Sequence, residues 1–372
     1  MSRMAALMGM PHGYNSDTEY HFREEDTDAI VQVAAYHRED YCRSVIWFPP
    51  HEHVGIRQSI TTPFPRTSSM GLGSLDVLPL ELFCDVLLRL DMHSLLKFRQ
   101  TNLRSRQSVD SLKQYQVVVS HGLNLLCALF RTRLAIDVSL LDFYHALCTK
   151  ACTLCGEFGG YISLLAWRRC CFKCVHDGLS LEMGVRSLAS VRKHFRLPAA
   201  ELAQLRSFKT LPGTYMMGKV ACKFPVTVVS FYHAVLASGR EPYDTTRAQQ
   251  SVWERDDKYN FMGSCALPYY DRQTGKVDHG MSCAGCLLAL EKDIASRLEL
   301  CTAFEARDKL YGQDGFLRHF RWCEQAQLLW SSSEQGNILP AELPEAVRRG
   351  GMSWETKMAE TAPRSHSEVL PG

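Results

Sequence analysis

The residues in this chain that could do chemistry are cysteines, and their spacing is that of a metal site. Cys152 and Cys155 form one C-x2-C pair, Cys171 and Cys174 form a second, and 15 residues separate the pairs. In this zinc pattern each pair forms a tight knuckle whose backbone N–H groups can point at the sulfurs. Gly156 follows the first pair and tolerates the positive φ that relaxes a knuckle turn. Four thiolates leave no open coordination position, so we expect a structural zinc ion rather than a catalytic one.

The identity of the four ligands stays open from the sequence. Cys148 precedes Cys152 by four residues, and Cys170 adjoins Cys171, so either could replace a ligand. The stretch 159–167 between the pairs begins with two glycines and suits a strand brought back by a glycine turn. We interpret the segment as a small zinc ribbon-like unit. The competing interpretation is a set of buried cysteines without metal.

A second and weaker constellation lies within residues 283–323. Cys283 and Cys286 form another C-x2-C pair, and the i, i+4 spacing of His319 and Cys323 predicts that both lie on one helix face. Together the four would make a Cys3His zinc site. The alternative is a helix histidine beside a core cysteine, packed among aromatic residues. Two further cysteines compete as ligands: Cys265 and Cys301.

Length, composition and charge limit the function classes. The chain has 372 residues, enough for two or three domains, and 46% are hydrophobic, which excludes global disorder. The 42 basic and 40 acidic residues leave a net charge of +2, which excludes a strongly basic or strongly acidic protein as a whole-chain description. The 15 cysteines are odd in number and no secretory signal stands out, which argues against a disulfide framework.

The sequence offers no membrane-spanning segment. The longest apolar-looking run, 220–237, is interrupted by Lys223, Pro225 and His233. No small-residue cleavage site stands out near the N-terminus, which argues against a signal peptide. We therefore expect a soluble protein of the cytoplasm and/or nucleus, with no membrane partner.

Changes in pattern divide the chain into four regions. They are an irregular N-terminal arm (1–73), a helical motif (74–116), a cysteine-rich region (117–330) that holds the zinc knuckles at 148–174, and a disordered tail (331–372). We expect a mainly α-helical fold with small β elements. A three-helix motif would come first, followed by an α+β region with the zinc ribbon-like knuckle pair.

The helical motif has more apolar surface than it can bury alone. Leu78, Leu82 and Val86 recur at four-residue spacing, with other apolar residues beside them, and predict an amphipathic helix. Asp91 can end this helix and cap the next one. Three short helices within about 40 residues cannot bury all of their leucines. Some of that surface must meet the rest of the chain or a partner.

The order of residues in this motif resembles the F-box. Leu78-Pro79-Leu80-Glu81-Leu82 is followed by Val86-Leu87-Leu88-Arg89-Leu90-Asp91 and then by Ser94-Leu95-Leu96-Lys97-Phe98-Arg99-Gln100-Thr101-Asn102. The resemblance covers about 75–116, and the tryptophan common late in the motif is absent. An F-box followed by a cysteine-rich, zinc-binding-like region resembles the fungal-type F-box proteins.

The resemblance implies a function in protein degradation. F-box proteins lay this apolar helical face against the adaptor subunit of SCF-type ubiquitin ligases and recruit a substrate protein, without catalysing ubiquitin transfer themselves. By position, the resemblance implies these contact or supporting core residues: Leu78, Pro79, Leu82, Val86, Leu87, Leu90, Leu95 and Leu96. Which of them point outward is open from the sequence.

Two other function classes fit the sequence less well. A zinc-stabilised nucleic-acid-binding protein would use the basic strip 97–106, or Arg168 and Arg169 beside Trp167 and Phe172. The net charge of +2 and the lack of a readout motif argue against it. An enzyme is not favoured, because the sequence contains no P-loop, no G-x-S-x-G and no H-E-x-x-H motif.

Overall fold

A computed structural model of the chain describes residue 16 and residues 18–62, 71–177, 182–239, 258–292 and 305–349. This part of the chain is mainly helical, with short antiparallel sheets of two or three strands, so the predicted fold class is confirmed.

The described α-helices are α1 (Thr27–Ala34), α2 (Glu39–Cys42), α3 (Val54–Thr61), α4 (Leu80–Arg89), α5 (Met92–Arg99), α6 (Leu103–Asp110), α7 (Lys113–His121), α8 (Leu123–Thr132), α9 (Leu140–Leu147), α10 (Phe172–Asp177), α11 (Leu188–Phe195), α12 (Ala199–Gln204), α13 (Phe231–Ala237), α14 (Lys258–Met262), α15 (Ala284–Glu291), α16 (Gln313–Phe320), α17 (Glu324–Ser332) and α18 (Glu345–Arg348). The strands are β1 (Ala35–Tyr36), β2 (Tyr161–Ser163), β3 (Arg168–Cys170), β4 (Val185–Ser187), β5 (Ser207–Lys209), β6 (Gly213–Tyr215), β7 (Val220–Cys222), β8 (Thr227–Ser230), β9 (Ser264–Ala266), β10 (Tyr269–Tyr270), β11 (Val277–Asp278) and β12 (Ser282–Cys283).

Side-chain caps set the start of two of the three helices in the predicted motif. Asp91 accepts a hydrogen bond from the Ser94 N–H at 2.8 Å and begins α5, as predicted. Asn102 accepts one from the Ser105 N–H at 2.8 Å and begins α6. Pro79 directly precedes α4, where its missing N–H leaves no helical bond unmade. Three short helices with fixed turns therefore follow one another over 80–110.

These helices share their core with the following helices of the chain. Phe83 and Leu87 of α4 belong to the largest hydrophobic cluster, which continues through α7, α8 and α9. Two backbone hydrogen bonds tie the motif to the start of α9 and the residues just before it, from the Met92 N–H to the Val138 carbonyl and from the Leu140 N–H to the Leu90 carbonyl. One side of the motif is thus buried by this chain itself.

The N-terminal region differs from the irregular arm that we expected. Where the structure describes residues 1–73, it places α1, β1, α2 and α3 there, and Tyr41 and Ile46 are buried in the largest core cluster. The Ile46 N–H also donates to the carbonyl of Ser264, far along the chain. The sequence shows no sustained period because each element is eight residues or shorter and long-range contacts bury it.

The expected tail begins inside a packed helix. Ser331 lies in α17, and Leu343 beyond that helix is buried in a second hydrophobic cluster. Residues 350–372, the rest of the expected tail, lie outside the described part of the chain. The boundaries between the four regions stay a prediction.

Small sheets organise the cysteine-rich region. Strand β2 is central in the sheet β3-β2-β9, and β8 is central in the sheet β4-β8-β5. The segment 159–167, expected to form a strand and a turn, forms β2 and the hairpin turn into β3. The helices α11 and α12 flank Pro198, because the residue before a proline is disfavoured in a helix. Within the described ranges, no helix is both long and apolar enough to span a bilayer.

Candidate metal centres and apolar docking face

The structure brings together the four cysteines of the two knuckles. The sulfurs of Cys152, Cys155, Cys171 and Cys174, here called the first cluster, all lie within 4.8 Å of one another. The Cys155 and Cys171 sulfurs are 3.6 Å apart. Zn–S bonds of about 2.3 Å place the sulfurs of a tetrahedral site about 3.8 Å apart. The donor set and its spacing therefore fit a zinc ion.

Local hydrogen bonds shape the first knuckle. The Cys152 N–H donates to the Glu157 carbonyl at 2.6 Å, and the Gly156 N–H donates to the Cys152 carbonyl at 2.9 Å. Gly156 has a φ of +76°, the positive value expected for the residue after the pair. The Thr153 N–H donates to the Arg169 carbonyl and ties the knuckle to β3. The hairpin β2–β3 thus carries the first pair to the second, which lies at the start of α10.

One sulfur of the first cluster, that of Cys152, is favoured as a thiolate. A hydrogen bond from the Cys171 thiol, with weaker ones from the N–H groups of Cys155 and Leu154, lowers the pKa of Cys152 to about 4. The bond to Cys152 raises the pKa of Cys171, and burial raises that of Cys174 to about 12. The Cys174 N–H also donates to the Cys171 sulfur at 3.4 Å. An N–H-lined pocket that holds a thiolate suits a soft cation.

The two rival cysteines lie outside the first cluster. Cys170 is fully buried in β3 and is not among the four residues whose sulfurs gather within 4.8 Å of one another. Cys148 directly follows α9 and lies near Arg272 and Tyr144. The structure therefore favours the four cysteines of the two C-x2-C pairs as the ligand set.

A second cluster forms from residues distant in sequence. Cys283 ends β12, Cys286 lies in α15 and His319 in α16, and Cys323 joins them. The Cys286 sulfur is 3.2 Å from His319 Nε2, and the Cys283 and Cys323 sulfurs are 3.7 Å apart. All four side chains are buried. These four residues, the second cluster, form the predicted Cys3His set, which could hold a metal ion.

One detail of the second cluster differs from the expectation. His319 and Cys323 do not share a helix, because α16 ends at Phe320 and Cys323 is the N-cap of α17. The Cys323 N–H still donates to the His319 carbonyl at 3.1 Å, so the tight connection between the helices keeps the two side chains together. Of the rival cysteines, Cys265 lies elsewhere and accepts from Asn124 Nδ2 at 3.1 Å, and Cys301 falls outside the described residues.

The electrostatics of the second cluster repeat those of the first. Hydrogen bonds from the thiols of Cys283 and Cys286 hold the pKa of Cys323 well below its usual value. Burial raises the pKa of Cys283, and hydrogen bonds with the other two thiols raise that of Cys286. The His319 ring stacks on Tyr311, with 4.9 Å between ring centroids, which fixes the imidazole plane. Each cluster thus gathers donors that suit zinc.

The eight positions of the predicted helical contact surface separate into three groups. Leu78, Pro79, Leu82 and Val86 are exposed. Leu87 and Leu95 are buried in the chain's own core, and Leu90 and Leu96 are half-buried against it. Two exposed apolar residues that the sequence reasoning missed, Val77 and Leu80, extend the exposed group. We call the exposed set the apolar face: Val77, Leu78, Pro79, Leu80, Leu82 and Val86.

Comparison with known families bears on this helical segment. A model of the F-box domain matches residues 75–116. Residues 75–116 are an F-box domain. Such a domain indicates a role as a substrate adaptor of SCF-type ubiquitin ligases, and F-box domains bind the adaptor subunit of those complexes. F-box proteins are in general non-catalytic adaptors. No curated protein and no solved structure matched the chain.

Two of the four cations in the basic strip of the F-box domain, Arg99 and Arg106, have structural roles. Arg99 is buried and forms a bidentate ion pair with Asp110, with N···O distances of 2.6 and 3.1 Å. The same guanidinium donates to the Ile60 carbonyl at 3.2 Å, and Arg106 donates to the Ser59 carbonyl at 2.7 Å. These two arginines fasten α3 to the F-box domain, whereas Lys97 and Arg104 of the same strip are exposed.

One arginine of the second basic pair, Arg169, is structural as well. Arg169 is buried, and its guanidinium donates to the carbonyls of Thr149, Leu267 and Pro268 at 2.5 to 2.9 Å. Arg168 forms an ion pair with Glu182. Arg169 is therefore committed to the fold, whereas Arg168 is exposed and paired only at the surface.

Proposed function

We propose that this chain is the substrate-recognition adaptor of an SCF-type ubiquitin ligase. In this proposal the F-box domain docks on the ligase adaptor subunit, and the region stapled by the two cysteine clusters recruits a target protein. Ubiquitin transfer would take place on another subunit. The proposal rests on the apolar face of the F-box domain.

The docking proposal rests on the separation of exposed and buried apolar side chains on α4. Leu82 and Val86 are 57% and 47% exposed, whereas Leu87 is 2% exposed in the core. Residues four apart share a helix face, so Leu82 and Val86 form one outward stripe beside the buried stripe of Phe83 and Leu87. Contiguous exposed apolar surface on a soluble protein marks an interaction site. A helix laid against this face would bury the outward stripe.

Co-purification tests the docking proposal. We expect the ligase adaptor subunit to co-purify with the wild-type chain and to be lost with Leu82→Asp/Val86→Asp, because two buried carboxylates without partners destabilise an interface strongly. A matched control is Leu339→Asp, since Leu339 is 71% exposed but lies outside the F-box domain. If the adaptor is absent from the wild-type sample, or is retained by the double variant, this function is wrong.

We further propose that both clusters hold structural zinc. Zinc would supply a tetrahedral cross-link between segments that are distant in sequence. In the first cluster it would join the loop after α9 to α10, and in the second it would join β12, α15, α16 and α17. Plasma emission on the purified chain should give two zinc ions, and a value near zero would overturn the metal proposal.

Single cysteine variants assign each zinc ion to its cluster. Cys155→Ser should remove one zinc ion and Cys286→Ser the other, whereas Cys222→Ser, which changes a buried cysteine outside both clusters, should remove neither.

Coordinating thiols must stay reduced, so we also propose that the chain works in the cytoplasm and/or nucleus. Fractionation of cells that contain a tagged chain would test the location.

A further inference from the structure

An open groove lies on a small α/β unit away from the F-box domain. The helices α11 and α12 pack beside β8, over a separate hydrophobic cluster that includes Val191, Leu197 and Val229. The groove has a volume of about 750 Å³, within the range of pockets that bind ligands. It is lined by Leu188, Ala189, Arg192, Lys193, Arg196, Leu202, Val226 and Thr227. We call it the basic groove.

The charge of the basic groove is one-sided. Three of its lining side chains are cationic and none is acidic. Arg192, Lys193 and Arg196 are exposed, and among the described residues none of them has an ion-pair partner. A fourth cation, Lys209, is opposite Thr227 in the sheet and therefore on the same sheet face. The groove thus attracts an anionic partner.

The rest of the lining is aliphatic. Leu188, Leu202 and Val226 are half-buried side chains that can still accept an apolar anchor. No lining residue is aromatic, so the groove has no surface on which bases could stack. A floor of aliphatic side chains beside unpaired guanidinium groups suits a peptide better than a nucleic acid.

We propose that the basic groove binds an acidic peptide segment of the substrate protein. Asp or Glu side chains of the segment would pair with Arg192, Lys193 and Arg196, and one aliphatic side chain would enter the floor between Leu188 and Leu202. The assignment to a substrate rests on the proposed ligase function, but the binding itself does not. It is therefore tested on the isolated chain, in the absence of the ligase adaptor.

Selection from a random 12-residue peptide library on the full chain tests the proposal. We expect the enriched peptides to carry several Asp or Glu residues and a Leu, Ile or Val. The best peptide, labelled with fluorescein, should lose affinity about tenfold or more on Arg192→Glu/Lys193→Glu/Arg196→Glu, since three weak attractions at exposed positions are replaced by three repulsions. If the enriched peptides are not acidic, or if affinity is unchanged in this variant, the proposal is overturned.

Two variants separate binding from folding and from net charge. Arg192 and Lys193 lie in the last turn of α11, where cations stabilise the helix. The neutral triple variant Arg192→Gln/Lys193→Gln/Arg196→Gln avoids placing acids there and should also lose the peptide. The matched charge control Lys113→Glu/Lys219→Glu/Lys276→Glu reverses three exposed lysines outside the groove and should keep it. Equal loss in this control would overturn the proposal.

Competition experiments identify other occupants. If labelled oligothymidine binds more tightly than the peptide and is lost in the same triple variant, the groove binds nucleic acid and the proposal is wrong. If peptides bind only after residues 240–257 are replaced by a Gly/Ser linker, the occupant is that acidic segment of this chain and the proposal is likewise wrong. Either outcome contradicts the proposal for the basic groove and leaves the co-purification result for the F-box domain unaffected.

Discussion

Ala35 and Cys283 are directly paired in the antiparallel ladder between β1 and β12. A residue near the N-terminus therefore holds the strand that presents one thiol of the second cluster. The adjoining helix α1 packs on α17 through a hydrophobic cluster that contains Ile30 and Val33. The segment expected to be an irregular arm is in this way part of the scaffold of a candidate metal centre.

This pairing predicts the effect of shortening the chain. Deletion of residues 1–38 should remove the partner strand of Cys283 and leave the apolar surface of α17 exposed, so one zinc ion of two should be lost. Deletion of residues 1–15, which lie outside the described part, is the control and should keep both ions. Plasma emission on both purified chains measures the result, and two zinc ions in the longer deletion would contradict it.

Close packing around Gly285 gives a second prediction. Gly285 lies between Cys283 and Cys286, and a Cβ built on it would be 2.3 Å from the backbone nitrogen of Ala326 in α17. Gly285→Ala should therefore push α15 and α17 apart, lower the free energy of unfolding by at least about 2 kcal/mol and weaken zinc binding at the second cluster.

Gly55 provides the matched control for this substitution. It lies in α3, and no other group lies within 4 Å of the position that an alanine Cβ would take there. Gly55→Ala should therefore be neutral or stabilising by about 0.5–1 kcal/mol. Chemical denaturation of both variants, with zinc content measured in the same samples, compares them. Equal stability of the two alanine variants would show that the contact with Ala326 does not restrict the helices.

The different burial of the two clusters predicts two rates of metal loss. Cys155 is exposed and Cys174 is half-buried, whereas all four side chains of the second cluster are buried. A chelator can reach the first cluster directly, but the second cluster must first open by local unfolding. Zinc release into excess chelator, followed by a zinc-sensitive dye, should therefore have a fast and a slow phase.

Single variants assign the phases. Cys155→Ser should remove the fast phase and leave the slow one, and Cys286→Ser should do the reverse. A single phase of two ions in the wild-type chain would mean that the clusters open together, contrary to the expectation from their burial.

Local patterns in the sequence predicted the structural features that depend on residues close together in the chain. The C-x2-C pairs fix their own knuckles, and the cap at Asp91 needs only the N–H of Ser94, so these features agree with the structure. The direction of Leu82 and Leu87 was not predictable, because α4 has adjoining apolar stripes and only the packing of later helices decides which one is buried.

Long-range contacts account for the features that the sequence did not predict. Ile46 pairs with Cys265 in an isolated parallel bridge, and neither residue carries a local sign of the other. The i, i+4 spacing of His319 and Cys323 predicted one helix, but the chain turns after Phe320 and Cys323 is the N-cap of α17, which begins at Glu324. A short connection between helices can keep two ligands together as well as one helix face does.

A buried histidine outside both clusters predicts how stability depends on pH. His53 is 6% exposed, and its Nδ1 lies 3.5 Å from the Cys127 sulfur. Burial, together with the positive charges of Arg131 and Arg57, lowers the pKa of His53 below its usual 6.5. The unfolded chain therefore binds this proton at a higher pH than the folded chain does. The stability from neutral His53 is complete above about pH 6.5 and is lost as the pH falls toward the lower folded pKa.

Thermal unfolding between about pH 7.5 and pH 5.5 measures this effect. The Tm of the wild-type chain should fall with acidification, and His53→Phe, which cannot take up a proton, should make the fall shallower. His145→Phe is the control, because His145 is exposed and its replacement should leave the slope as it is in the wild type. Zinc content is measured at each pH, so that metal loss is not mistaken for titration of His53. If the wild-type and His53→Phe slopes are equal while zinc is retained, His53 does not set this pH dependence.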